Sequence, residues 1–532
     1  MVCADRCYLL MLALVLPGLG GVARAQMADA APGSDGARIE RLERMLQSVV
    51  DENRRLSEEV RVLQGQLSVG GSVAAQPSAP NGLLAPTVPS AGLPGVESAL
   101  PEPEITDIDP LWGVPPVPDG WSIPPATPPT EYRRLLHQYS LGYDHGFVVV
   151  PDNLDESPFS MKVNNQNTFR YMGFVRGANA WTDSAGVDHP IYSGSNFQIP
   201  RGRLIFSGAA FLPKLSYLLN IDYNTVTSNP IGFRAYALSY RFSRAFEVSV
   251  GQNKVPGSRE WLSSSWVGQE GPDRSMATTF FRPSLSQGIW FTGEPLDKVY
   301  YHAMLSNGFN TLNLRPNQLN NRFCWSGSAW WEPWGEFGPG YTDIENHKDP
   351  ALRLGSSYTY DIGNGSQSTS DAVENSAIRL SDGTIITAAN AFAPGRTLQQ
   401  YDLSLLAIDA AFKYRGLSLS TEVYLQNLLS LKADGPLPIR STSATGGVLQ
   451  GGYYILPQVL EVYGRSSYVT GHYGTGSEIG AGFNWFPLKG KNNLRYTFDT
   501  TWLDQSPADQ NRTGYVAGQT GFLLRTQIST SF

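Results

Sequence analysis

From Phe159 to Phe532, apolar and polar residues alternate with a period of two, interrupted at intervals by turn-forming residues. Leu494, Tyr496, Phe498, Thr500 and Trp502 make one face of such a run, while Arg495, Thr497, Asp499 and Thr501 make the other. Leu417, Leu419, Thr421, Val423 and Leu425 likewise oppose Ser418, Ser420, Glu422, Tyr424 and Gln426. Alternation of this kind predicts half-buried β-strands. A soluble sandwich alternates too, but strands near ~10 residues, aromatics near their ends and a short/long rhythm of connections predict an all-β, transmembrane antiparallel barrel, apolar toward lipid and polar within. Short turns are predicted near Leu212 to Leu215, Phe242 to Ala245, Glu294 to Lys298, Pro333 to Gly338, Tyr414 to Gly416, Pro457-Gln458 and Pro487 to Asn492, with longer loops such as Gly363 to Thr397 and Lys432 to Gly446 between them. The rhythm gives about 16 strands, an even number that leaves both barrel ends in the periplasm of a bacterial outer membrane.

Upstream the period changes. Ile39, Leu42, Leu46, Val49, Leu56, Val60, Leu63 and Leu67 are spaced by threes and fours, with Asn53 in the one vacant position. This is a heptad, and it predicts an α-helical coiled coil over 38–67 in which buried Asn53 fixes register at a cost in stability. An amphipathic helix on the chain's own surface is the alternative. Residues 68–131 are rich in Pro, Ala, Gly and Ser, which cannot bury a core and predict an extended periplasmic linker. A pre-barrel segment, 132–158, and the barrel, 159–532, complete the division.

The first residues place Arg6 before the apolar run Leu9 to Leu19, followed by Ala23-Arg24-Ala25. That order predicts a signal peptide, residues 1–25, cleaved after Ala25. Cys3 and Cys7 fall inside it, so the mature chain keeps only Cys324 and forms no internal disulfide. After the signal no uninterrupted apolar stretch approaches the ~18 residues of a helical span. A net charge of -7 argues against nucleic acid as a partner.

The last strand sets Phe522, Leu524, Thr526, Ile528, Thr530 and Phe532 against Leu523, Arg525, Gln527, Ser529 and Ser531. An aromatic residue closing an alternating strand resembles the signal that outer-membrane assembly machinery reads, which gives Phe532 that role. Further segments resemble the phosphate-selective porin family, the O and P porins, over roughly 138–532. They are Gly142-Tyr143-Asp144-His145-Gly146-Phe147, Arg201-Gly202-Arg203-Leu204, Val250-Gly251-Gln252-Asn253-Lys254-Val255-Pro256, Ser263-Ser264-Ser265-Trp266, Asp273-Arg274 and Phe483-Asn484-Trp485. The resemblance implies a homotrimer of 16-stranded barrels whose third loop folds inward between Lys254 and Ser284. The run Arg38-Ile39-Glu40-Arg41-Leu42-Glu43 resembles a motif of three-stranded coils and agrees with that count.

Strand parity independently sends Arg201, Arg203, Arg322, Arg353, Arg465, Arg495 and Arg525 to the interior, because a guanidinium facing mid-bilayer costs about 2–4 kcal/mol. Arg274 and Arg282 join them from the third loop. Rings of Arg select anions by concentrating opposite charge and replacing lost hydration with charge-assisted hydrogen bonds. Glu247, Glu422, Glu461 and Asp499 also point inward, so paired charges lining an ordinary interior are the alternative. Against the family pattern, Glu260 stands where phosphate-specific members carry Lys, Ala235 lies near an expected lumenal Asp, and Gln166 falls near a first-strand Arg. Ser263, Ser264 and Arg274 carry over as constriction residues.

Asp343, Glu345, His347 and Asp349 form an acidic cluster that lacks a defined cation-loop pattern and reads as a solvated loop. His302 and Ser306 share a strand face but stand about 13 Å apart at ~3.3 Å per residue, too far for a catalytic hydrogen bond. No enzyme, metal or cofactor is predicted. The expected function is passive diffusion of small hydrophilic solutes with a preference for anions, phosphate or similar; the rival is an outer-membrane anchor tied to the cell wall through the coiled coil.

Overall fold

Alternating side chains make strands only if each edge finds a partner, and here every barrel strand does. The computed structural model describes residues 139–144, 146–151, 159–227, 230–266, 268–311, 319–320, 322–364 and 377–532. The signal peptide, the coiled coil with Asn53, the linker and part of the pre-barrel segment lie outside the described residues. A hairpin of β1 (Tyr139–Tyr143) and β2 (Phe147–Pro151) precedes β3 (Met161–Arg176), and β4 (Ala180–Thr182) with β5 (Asp188–Pro190) forms a small separate hairpin. Then follow β6 (Gly194–Ala210), β7 (Leu212–Tyr223), β8 (Ile231–Ser243), β9 (Phe246–Lys254), β10 (Leu285–Leu296), β11 (Val299–Ser306), β12 (Cys324–Trp331) and β13 (Ala351–Asn364). The remainder are β14 (Leu398–Tyr414), β15 (Leu417–Ala433), β16 (Thr442–Leu456), β17 (Leu460–Gly471), β18 (Gly474–Trp485), β19 (Leu494–Ser506) and β20 (Gln519–Ser531).

Sequential antiparallel pairing from β6 to β20, with β3 bonded to β6 on one side and β20 on the other, closes a ring of 16 strands. Phe532 completes the seam by exchanging backbone hydrogen bonds with Asn165, 2.7 and 3.0 Å. Beyond that point β2 takes over as partner of β3, Phe147 facing Val163, and Lys162 reaches Asp144 at 3.1 Å.

Burial is inverted relative to a water-soluble protein. On β15, Leu417, Leu419, Val423 and Leu425 are 38–53% exposed, while Ser418, Ser420, Glu422 and Gln426 are at most 4% exposed. An exposed apolar belt around a polar interior is the arrangement lipid demands, because a closed ring leaves no backbone edge unsatisfied. Among the described residues no helix is long and apolar enough to cross a membrane.

Connections of one to eight residues at the end holding Phe532 alternate with connections of seven to 33 residues opposite, with two exceptions. The short turn expected at Pro333 to Gly338 is instead the 19-residue connection 332–350, whose Phe337, Tyr341, Asp343 and Ile344 are buried. At the loop end, β17 and β18 are joined only by residues 472–473. The loop expected over Lys432 to Gly446 shrinks to 434–441, because β15 and β16 run on and pair there. Small polar residues masked that strand: a Cβ on Gly446 would sit 2.5 Å from the Phe281 ring.

Candidate pore constriction

The third loop, residues 255–284, leaves β9 and folds into the barrel. Two short helices shape it: α1 (Arg259–Leu262), capped by Ser258, and α2 (Met276–Phe281), capped by Ser275. Each serine accepts a hydrogen bond from a first-turn amide that would otherwise be unpaired. Glu260 ties the two helices together, accepting from Ser275 N at 2.9 Å, from Ser275 Oγ at 2.6 Å and from the Thr278 hydroxyl. The carboxylate found where a lysine was expected is thus spent on folding the loop.

One side of the loop faces arginines. Asp273 accepts from Arg170 Nη2 at 2.9 Å and from Arg201 Nη1 and Nη2 at 2.6 and 3.0 Å. Arg465 donates to the Asp273 carbonyl at 2.7 Å, and Arg495 to the carbonyls of Gln269 and Trp266 at 2.9 and 3.1 Å. Arg203 contacts Ser265 Oγ at 2.6 Å and shares Asp222 with Arg512, while Arg525 pairs with Asp499. None of these arginines is more than 5% exposed. A wall of guanidiniums aimed at backbone carbonyls clamps the loop and keeps a fixed positive potential beside it.

Lys254, Arg274 and Arg282 converge on the ring of Trp261, at 5.3, 4.7 and 5.4 Å from its centroid. The ring face draws the cations together where bare ammonium and guanidinium groups would repel. Carbonyl oxygens help: Lys254 donates to those of Leu262 and Ser263 at 2.7 Å each. Ser263 and Ser264 are half-buried beside this cluster, and Ser263 Oγ accepts from Gln269 at 2.6 Å.

The loop's other side is apolar, contrary to the expectation of a uniformly polar interior. Met276, Ala277 and Phe281 of α2 join a buried cluster with Leu403, Leu405, Val448, Val469 and Leu523 from the barrel wall. Phe281 stacks on Tyr424 at 4.9 Å. These inward residues meet protein, not water, which removes the reason for them to be polar.

Of the expected pore residues, Arg201, Arg203, Arg274, Arg282, Arg465, Arg495 and Arg525 gather around the third loop. Arg353 faces inward nearer the turn end, 3.7 Å from Glu332 and stacked on Trp330. Arg322 corrects the parity reading: it is exposed in the connection between β11 and β12, because β12 begins only at Cys324. Sequence reading missed Arg170, two inward positions beyond Gln166, and Arg512, which a loop delivers and no alternation could reveal. His302 and Ser306 are buried on the inward face of β11, four residues apart.

Residues 175–313, which run from the end of β3 through the third loop to just past β11, match the family model described as phosphate-selective porin O and P. The barrel is an outer-membrane porin. By the rule that such barrels keep short turns inside, the porin's turn end is periplasmic. Among solved structures the porin is similar to an anion-selective porin from Comamonas acidovorans, 11% identical over 70% of this chain and 99% of that one, TM-score 0.41. A loop L8 deletion mutant of Vibrio cholerae OmpT is 10% identical over 70% and 99%, TM-score 0.43. Pseudomonas putida OprB at high pH is 10% identical over 71% and 95%, TM-score 0.43. No curated protein matches the chain.

Proposed function

We propose that the porin passes small hydrophilic solutes passively and prefers anions, and that the preference is set at the third loop. The observation that carries this reading is the convergence of Lys254, Arg274 and Arg282 on Trp261 beside an arginine wall. Among the described residues around the loop, eleven cations, Arg170, Arg201, Arg203, Lys254, Arg259, Arg274, Arg282, Arg465, Arg495, Arg512 and Arg525, stand against eight carboxylates, Asp222, Glu260, Glu270, Asp273, Glu422, Glu461, Glu478 and Asp499. The excess is positive, and in a narrow lumen with low-dielectric walls it raises the local concentration of anions. Glu260 lies within the cluster, so a general anion preference is supported better than a dedicated phosphate site. Three copies assembled through the heptad over 38–67 form the working unit in this reading, and cross-linking that yields only monomers would sink that part of it.

The test is the single-channel reversal potential in a chloride salt gradient, repeated with phosphate as competitor. Anion selectivity with little phosphate block is the expected result. Cation selectivity would overturn the proposal, and strong block would show a phosphate site despite Glu260.

A further inference from the structure

The 19-residue connection between β12 and β13 enters the barrel mouth and touches the third loop from the periplasmic side. Tyr341 N donates to the Gly268 carbonyl at 3.2 Å, and Tyr341 Oη to Glu422 Oε1 at 2.9 Å. The Arg259 guanidinium of α1 lies over both aromatic rings of the connection, 4.1 Å from that of Tyr341 and 5.0 Å from that of Phe337. Below these contacts the segment is fastened to neighbouring turns. Asp343 accepts from Gly416 N at 2.6 Å, Arg415 N donates to the His347 carbonyl at 2.8 Å, and Gln458 Nε2 donates to the Ile344 carbonyl at 3.0 Å.

At the centre of the fastening is His347. Its Nδ1 is 2.5 Å from Asp343 Oδ1 and its Nε2 is 3.0 Å from the Glu336 carbonyl. Both neighbours are acceptors only, and a neutral imidazole has a single N–H to give. Only the imidazolium satisfies both.

Asp343, Glu345 and His347 bring ligand atoms within 4.8 Å of one another, but these atoms are already engaged. Glu345 takes Lys413 Nζ at 3.2 Å, and the two Asp343 oxygens take His347 and Gly416 N. Of the cluster read from sequence as a solvated loop, Glu345 and Asp349 are exposed while Asp343 is buried and His347 half-buried.

We propose that residues 332–350 are a brace that holds the third loop across the lumen, locked by a doubly donating His347 and released when that residue loses its proton. This rests on the porin reading above and adds to it a control acting from the periplasm. The groups facing His347 are Asp343 and Glu345 on its own segment and Lys413 from β14; hydrogen bonding to Asp343 holds the imidazole above its ordinary value, with burial first and Lys413 second opposing this. A raised value means the lock is complete below the unfolded value near ~6.5 and is lost as pH rises through the folded one.

The experiment is single-channel conductance of the full porin and of His347→Gln in planar bilayers, with the periplasmic-side pH stepped from about 5 to about 9, a range that spans histidine titration. Heat-modifiable gel migration confirms a folded barrel in each. Wild-type conductance is expected to rise by about twofold or more across the titration, while His347→Gln, with one donor and no charge, conducts at the higher level throughout. A wild-type conductance that does not change with pH, or the same pH profile in both proteins, would overturn the brace while leaving the porin intact. Silence of both proteins at every pH would overturn the porin reading, and the brace with it.

Discussion

Replacing Asp273 by Asn tests whether the third loop is held by charge. Asp273 is fully buried and accepts three hydrogen bonds from Arg170 and Arg201, themselves 2% exposed. Asn keeps the shape but leaves two buried guanidiniums without their counter-charge, a change that costs about 3–5 kcal/mol when one partner of a buried pair is removed. The barrel does not depend on this contact, since its ladder closes through β3 and β20. The loss therefore falls on loop docking, and the bonds from Arg465 and Arg495 keep the loop tethered while it fluctuates. The substitution also removes one negative charge. At ~8 Å in a water-like dielectric a unit charge is worth about 0.5 kcal/mol, roughly a twofold gain in preference for chloride, and more where the lumen excludes water. Asp273→Asn should thus give noisier single channels with a reversal potential shifted further toward anions, in a barrel that migrates as folded. A folded variant with wild-type noise and selectivity would show that Asp273 neither anchors the loop nor shapes the field, and the reasoning would fail.

Three further outcomes follow from the geometry. Val423→Arg puts a guanidinium on the lipid face of β15, where Val423 is 53% exposed, and should destabilise the barrel by about 2–4 kcal/mol if it lies near mid-bilayer; unfolding in urea-treated lipid vesicles measures this. Phe532→Ala removes a ring that is 59% exposed while its backbone bonds to Asn165 persist, so the purified barrel should keep its stability while folded protein in the outer membrane falls severalfold; equal loss of both would assign the ring to stability rather than assembly. Glu260→Gln weakens three bonds that staple α1 to α2, each charge-assisted bond being worth about 1.5–3 kcal/mol, and should raise conductance noise without unfolding the barrel, as recorded in planar bilayers.

The barrel was legible because its signal is repeated: each strand that must face lipid on one side and protein on the other carries the same alternation. The arginines at 201, 203, 465, 495 and 525 were legible for the same reason, since only one face of each strand tolerates them. What escaped were positions whose environment is set by segments far away in sequence. Val448 and Val469 point inward yet are apolar because they share a buried cluster with α2, which packs on β16 and β17. Arg512 reaches Asp222, 290 residues away, from a loop with no period at all. The connection 332–350 read as a turn followed by a solvated acidic loop, because nothing local distinguishes acidic residues facing water from acidic residues folded onto a histidine and a backbone amide.

The seam between β3 and β20 carries a consequence for biogenesis. Arg170 and Gln527, which meet across it, are 357 residues apart, so the ring joins its first strand to its last. A contact of that span is paid for in loop entropy before it yields any stability and is slow to form. Until it forms, the sheet has two bare edges, each able to template pairing with another chain. An incomplete barrel therefore cannot hide its edges by folding what it has, and the pairing of β20 with β3, which Phe532 extends through its backbone bonds to Asn165, is the event that separates a sealed barrel from an aggregation-prone sheet.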